Sequence, residues 1–184
     1  AALFIVSFGA SSAPDIDGLA AYKTLADTPL PVDYAYIAVA GAQIPAMLEA
    51  AKGHVRFAQV ISSGFGEVDE GKDLQERLLA AARAGGMRLL GPNCLGIYTP
   101  RGKITFTEIG PTEVGHVGVV SQSGGLGTDI IRRGLSRGIK FSGLVTVGNC
   151  ADLGPSDMLE FYLADAATRV IGFYIETAKD GRRL

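Results

Sequence analysis

The sequence predicts an α/β protein with parallel sheets, built as two successive units. Three observations predict it. Short apolar runs alternate with stretches of helical periodicity. The runs are apolar almost throughout, as in strands covered on both faces, and do not alternate with polar residues. The alternation halts once, in a piece containing Pro and Gly, and then restarts.

In the first unit, LFIV (residues 3–6) reads as a buried strand, DYAYIAV (33–39) as a second and FAQVISS (57–63) as a third. A helical pattern covers residues 43–51. From Lys72, KDLQERLLAAARAGG sets Leu74, Leu78, Leu79 and Ala82 on one helical face. Gly85 and Gly86 stand where a left-handed helix end is wanted. MRLL (87–90) is a fourth strand, leading into GPNCLG (91–96). The less regular piece after it marks a boundary near residues 110–115, giving expected domains 1–110 and 111–184.

In the second unit, HVGVVS (116–121), FSGLVTV (141–147) and RVIGFYIE (169–176) read as strands. Helices are expected over 124–137 and 155–165, the latter opened by Pro155 and Ser156. The first strand of the chain leads into SFGASSAPDIDGLAAY, which lacks the G-x-G-x-x-G spacing of a dinucleotide loop. Either this unit binds no dinucleotide, or its first strand and loop lie upstream. The last strand has no covering helix, so a fragment of a longer protein is expected.

Composition excludes several classes. The net charge is -2 with no basic block, which disfavours nucleic acid. No apolar run is long enough for a membrane span, and AALFIVSFGA is too short and uncharged for a signal peptide. The two cysteines form neither a disulfide framework nor metal spacing, which fits a reducing cytoplasm. His54 and His116 read as structural or neutral.

The richest candidate is GVVSQSGGLGTD (118–129). Ser123 is placed to cap a helix whose first turn is Gly124–Gly125. The first helical N–H groups lack internal partners and carry the positive end of the helix dipole. Small residues let an anion approach them, so the turn fits an anion seat; it equally fits an ordinary Ser-capped turn. GPNCLG lies at a strand's carboxyl end, the edge where open α/β sheets bind ligands. There Asn93 offers donors and acceptors. Cys94 is either a nucleophile or a small buried residue. SSGFGE (62–67) and GNCADLG (148–154) also come after predicted strands. Four such loops suggest one ligand served by both units.

These segments in this order resemble the NDP-forming acyl-CoA synthetases, including the ADP-forming acetyl-CoA synthetases, and the α subunit of succinyl-CoA synthetase. VISSGF (60–65), MRLLGPNCLGI (87–97), GHVGVVSQSGGLG (115–127), SGLVTVGNCADL (142–153) and VIGFYIETAKDGRRL (170–184) carry the resemblance. VSFG (6–9) and VAGA (39–42) depart from the family's usual V-N-P and V-P-A.

The resemblance implies a Rossmann-like CoA-binding domain, possibly short of its first strand, followed by the start of a flavodoxin-like ligase domain. It implies formation of acyl-CoA from a carboxylic acid, CoA and ATP or GTP, through acyl-phosphate and phosphohistidine intermediates. Ser63, Gly64, Asn93 and Cys94 would contact CoA. Ser121, Gln122, Ser123 and Gly124 would seat phosphate. Gly148 and Asn149 would border the acyl pocket. Glu176 would orient a phosphohistidine supplied from another segment. The nucleotide and Mg2+ would belong to an ATP-grasp domain or subunit, and an oligomer is expected. Two rival expectations are a non-catalytic CoA-binding regulatory module, such as that of a protein acetyltransferase, and a nucleotide-dependent oxidoreductase.

Overall fold

The computed structural model describes residues 2–7, 15–106 and 112–184. The loop after the first predicted strand (8–14) and part of the predicted boundary (107–111) lie outside the described residues. The chain forms two compact units, Ala1–Leu89 and Leu90–Leu184.

In the first unit, β1 (Ile5–Val6) and β2 (Asp15–Ile16) flank β3 (Leu19–Tyr22). β1 runs parallel to β3 and β2 antiparallel to it. The sequence reading placed no strand at 15–22. Asp17 and Gly18 make the difference, with φ of 51° and 77°. Positive φ at both central residues is what a two-residue hairpin turn needs, and Asp-Gly supplies it.

The main sheet of this unit has the order β4 (Val32–Ile37), β5 (Val55–Val60), β6 (Arg88–Leu90), with β4 and β5 parallel. Helices α1 (Ile44–Ala50) and α2 (Lys72–Ala84) pack on each other. They bury Ile44, Met47 and Leu48 from one and Leu78, Ala81 and Ala82 from the other, the three-four spacing of a helical face. α2 ends as its glycine pair predicts. Gly86 N–H bonds the carbonyl of Arg83 at 3.0 Å and Met87 N–H that of Ala82 at 2.9 Å, which satisfies two of the helix's last carbonyls.

The second unit holds a four-stranded sheet. Its strands are β7 (Ile97–Tyr98), β8 (Val117–Ser121), β9 (Phe141–Thr146) and β10 (Val170–Tyr174), in the order β10-β8-β9-β7. β8 is parallel to both β9 and β10, as expected. β7 is antiparallel to β9, pairing Ile97 with Val145, and was read from sequence as irregular. The last strand stops at Tyr174, two residues short of the sequence reading.

Helices α3 (Gly124–Leu135) and α4 (Pro155–Ala164) come after β8 and β9. Tyr98, Val119, Ile131, Phe141 and Leu144 form the buried core of this unit. All six residues of β9 are buried, so both faces of that strand are covered. The register aligns the strand ends. Ser121 lies opposite Thr146 on one side and Tyr174 on the other, so three parallel strands end at one level.

Candidate functional site

Four loops leave that level of the second unit, and three of the sequence motifs lie in them. The first is the turn into α3. Ser123 is extended (φ -91°, ψ 123°) and its Oγ accepts the N–H of Leu126 at 3.3 Å, so it caps the helix as predicted. Gly124 and Gly125 come next, with N–H groups that helix geometry leaves without internal acceptors. A side chain at Gly125 would meet nothing within 4 Å, so the approach there is open.

Ser121 and Gln122 are spent differently. Ser121 is fully buried, and its Oγ donates to the carbonyl of Ser123 at 2.7 Å, which shapes the turn from beneath. Gln122 N–H donates to the carbonyl of Tyr174 at 3.0 Å, extending the β8–β10 ladder by one bond. Its side-chain Oε1 accepts the N–H of Glu176 and, at 2.8 Å, that of Thr177. Its Nε2 donates to Cys150 Sγ at 3.5 Å.

The second loop, residues 91–96, lies along the third, residues 147–151. Asn149 N–H donates to the carbonyl of Pro92 and Ala151 N–H to that of Gly91, both at 3.0 Å. Gly96 closes the far end: its N–H donates to Thr146 Oγ1 at 2.7 Å and its carbonyl accepts Thr146 N–H at 2.9 Å. Asn93 is exposed, and its Nδ2 lies 3.4 Å from Asn149 Oδ1. Gly148 is the tightest point. Its φ is +51°, and a Cβ there would overlap the carbonyl oxygens of both Pro92 and Asn93. Only glycine fits both the conformation and the space. Leu95 packs against the start of α3, where a Cβ on Gly124 would lie 2.8 Å from its Cγ. The predicted residues Asn93, Cys94, Ser121, Gln122, Ser123, Gly124, Gly148 and Asn149 are therefore brought together within this unit.

The fourth loop leads away from β10. Glu176 lies here, exposed, in a bend beyond the strand end. Lys179 lies three residues on, and its Nζ donates to the carbonyls of Asn149 and Cys150, each at 2.9 Å. Sequence reasoning assigned this lysine no role. The available signal was a lysine close behind a strand end, on the sheet edge where the other loops gather.

The thiols are poor nucleophiles. Burial first, then the neighbouring Cys150 charge, push Cys94 from 9.0 up to about 12, against a hydrogen bond with Thr146. Cys150 is also raised, by burial, while Gln122 and Lys179 act the other way. A buried thiol held neutral at pH 7 favours packing over nucleophilic attack for Cys94.

Ser63 and Gly64 belong to the first unit. Ser63 is exposed. Gly64 has φ +92°, and its N–H donates to Glu67 Oε1 at 2.5 Å, while Phe65 N–H donates to Oε2 at 3.2 Å. The histidines make structural contacts: His54 Nε2 pairs with Thr28 Oγ1 at 2.8 Å and His116 Nδ1 with the carbonyl of Ala167 at 3.0 Å. Among the described residues no cluster of His, Cys, Asp and Glu gathers to hold a metal, and no helix is long and apolar enough to cross a membrane.

Comparison with known proteins finds matches along most of the chain. Residues 6–100 match the CoA binding domain, and residues 114–184 match the succinyl-CoA ligase like flavodoxin domain. The chain is 44% identical over 168 residues to subunit alpha of the ADP-forming acetate–CoA ligase I of Pyrococcus furiosus. That match takes in 88% of this chain and 36% of the relative. It is 36% identical over 173 residues to the ADP-forming acetate–CoA ligase of Methanocaldococcus jannaschii, covering 92% of this chain and 24% of that one. The chain thus spans about a third or less of the length of these relatives.

Among solved structures, it superposes on the dinucleotide forming acetyl-coenzyme A synthetase 1 of Ca. Korarchaeum cryptofilum, solved in complex with phosphate and ADP. The TM-score is 0.85 at 32% identity, over 97% of this chain and 45% of that one. The chain belongs to the CoA binding domain family, continued by a succinyl-CoA ligase like flavodoxin domain, and its homologues include α subunits of ADP-forming acetate–CoA ligases.

Proposed function

We propose that this chain is part of an acid–CoA ligase. Such an enzyme converts a carboxylic acid, CoA and ATP or GTP into acyl-CoA, ADP or GDP, and phosphate, through an acyl phosphate and a phosphohistidine. The observation that supports this most is the meeting of GPNCLG with the start of α3, at the carboxyl ends of parallel strands.

Each group has a part. The open N–H groups of Gly124 and Gly125, with the cap at Ser123, attract the transferring phosphoryl group by helix dipole and backbone donors. Ser121 and Gln122 build that seat from below and beside it. Gly148 and Asn149 border the acyl group. Ser63, Gly64, Asn93 and Cys94 contact CoA, with Cys94 as neutral wall because its thiol stays protonated. Glu176 orients the histidine that carries the phosphoryl group, and a segment other than those of His54 and His116 supplies that histidine. The nucleotide and Mg2+ are held by an ATP-grasp domain or subunit. We place the functional division near residue 110, the assembly as an oligomer and the setting in the cytoplasm.

The test is an acyl-CoA synthesis assay on the intact protein with its nucleotide-binding partner, alongside calorimetric titration with CoA. The ligase reading expects both CoA binding and acid-dependent release of ADP or GDP. CoA binding without acyl-CoA formation would favour a regulatory module. Saturable NAD binding without CoA binding would favour an oxidoreductase.

A further inference from the structure

We propose that Gln122 is a positioning residue for Glu176, and not a phosphate ligand, with Lys179 locking the same segment from its other end. This rests on the ligase function proposed for the chain and deepens it.

The geometry begins where β10 stops. The last ladder bond joins Gln122 N–H to the carbonyl of Tyr174. Past it, the chain at Glu176 and Thr177 has left the ladder, and their N–H groups turn to one acceptor, Gln122 Oε1. Two consecutive N–H groups on one oxygen fix the local backbone, and with it the direction in which the Glu176 side chain leaves the chain. Gln122 is also the residue directly before the Ser123 cap. The position of the Glu176 carboxylate is therefore keyed to the start of α3 through a single peptide bond and a single side-chain amide.

The other end of the segment is held as firmly. Lys179 Nζ makes charge-assisted hydrogen bonds to two consecutive carbonyls, of Asn149 and Cys150, each at 2.9 Å. A segment without regular structure is thus tied to the anion turn by Gln122 and to the 147–151 loop by Lys179.

The alternative role for Gln122 fits its contacts poorly. A phosphate attracts donors, and the side chain's one donor group, Nε2, has one of its two N–H bonds turned to the sulfur of Cys150. Its acceptor is occupied by two backbone donors. The two roles separate in kinetics. A ligand's loss weakens phosphate or acyl-phosphate binding. A positioning residue's loss slows transfer, because misplacement of an orienting group by a fraction of an ångström matters to rate.

The experiment is a double-mutant cycle in the intact protein, Gln122→Leu against Glu176→Gln, with Lys179→Arg and Lys179→Met as a second pair. Phosphoryl-transfer rate and KM for phosphate and acid are read in each variant. Amide exchange at Glu176, Thr177 and β10 is read alongside. Gln122→Leu is expected to slow transfer about tenfold, with KM within about twofold, and to cost under about twofold once Glu176 is already Gln. Exchange should quicken at Glu176 and Thr177 while β10 stays protected. Lys179→Arg should retain most of the rate that Lys179→Met loses.

Additive losses from Gln122→Leu and Glu176→Gln in an active enzyme would overturn the proposal alone, as would a raised KM for phosphate with kcat unchanged. Collapse of β10 protection in Gln122→Leu would assign the residue to the sheet and overturn it too. Absence of acyl-CoA synthesis in the wild type would overturn the ligase reading, and this proposal with it.

Discussion

The α-carbon of Gly148 faces the backbone of Asn93 so closely that a methyl group would lie 2.7 Å from the Asn93 carbonyl carbon. That contact joins the two loops in which the acyl and CoA contacts are proposed. Gly148→Ala must therefore strain a positive φ and push backbone against backbone. It should destabilise the second unit by ~2 kcal/mol or more. Gly125→Ala is the matched control, since the space there is open and the residue lies in a helix. It should be neutral or stabilising by up to ~1 kcal/mol. Urea unfolding of both variants followed by one probe checks the pair. Equal losses would remove the account given for Gly148.

The cap at Ser123 separates stability from anion attraction. Ser123→Ala removes the acceptor for Leu126 N–H and should cost ~1 kcal/mol. Ser123→Asp keeps a capping oxygen but places a negative charge at the helix start. It should hold stability near wild type while phosphate binding is lost. Thermal melts, with and without phosphate, read both effects. An aspartate variant that still gains stability from phosphate would exclude this turn as the seat.

Cys94 and Cys150 should resist alkylation in the folded protein. Both are buried with raised pKa, Cys94 to about 12. Iodoacetamide at pH 8 should label neither until denaturant is added. The same burial sets an alkaline limit. Below pH 9 the Cys94 thiol is neutral both folded and unfolded, and contributes nothing to the pH dependence. Above 9.0 the unfolded chain ionises and the folded one does not until about 12. Stability should fall across that window by about 1.4 kcal/mol per pH unit from this group. Melting temperatures between pH 8 and 11 test it, and Cys94→Ser should flatten the fall.

For catalysis, Glu176→Gln in the intact protein should slow phosphoryl transfer far more than it weakens CoA binding. Cys94→Ser should cost only a modest part of turnover, since a buried thiol held neutral is a poor nucleophile. Stopped-flow transfer rates and CoA titrations distinguish these cases. Parallel loss of rate and CoA affinity in Glu176→Gln would refute its assigned role.

How much the sequence could reveal depends on the range of the interaction. The Ser123 cap, the paired glycines ending α2 and the parallel apolar strands depend on neighbours a few residues away, and each was legible. The Asp17–Gly18 hairpin was equally local but joins strands of two and four residues, too short for periodicity to register. β7 is two residues long and is set by a partner far along the chain at Val145. The partners of Lys179 and of the Gln122 side chain were not legible. Their partners, at Asn149 and at Glu176–Thr177, are distant in sequence and meet only because β8, β9 and β10 end at one level. Residue types could suggest an anion seat. They could not show which side chains would be consumed in holding its walls.

The start of α3 draws its positive character from peptide groups and a hydroxyl, none of which gains or loses a proton under physiological conditions. The helix start itself presents the same field in acid as in mild alkali. A bell or sigmoid in capture across the pH scale that survives Glu176→Gln would then report the ionisation of the guest, so that the titration curve becomes a fingerprint of what has been caught.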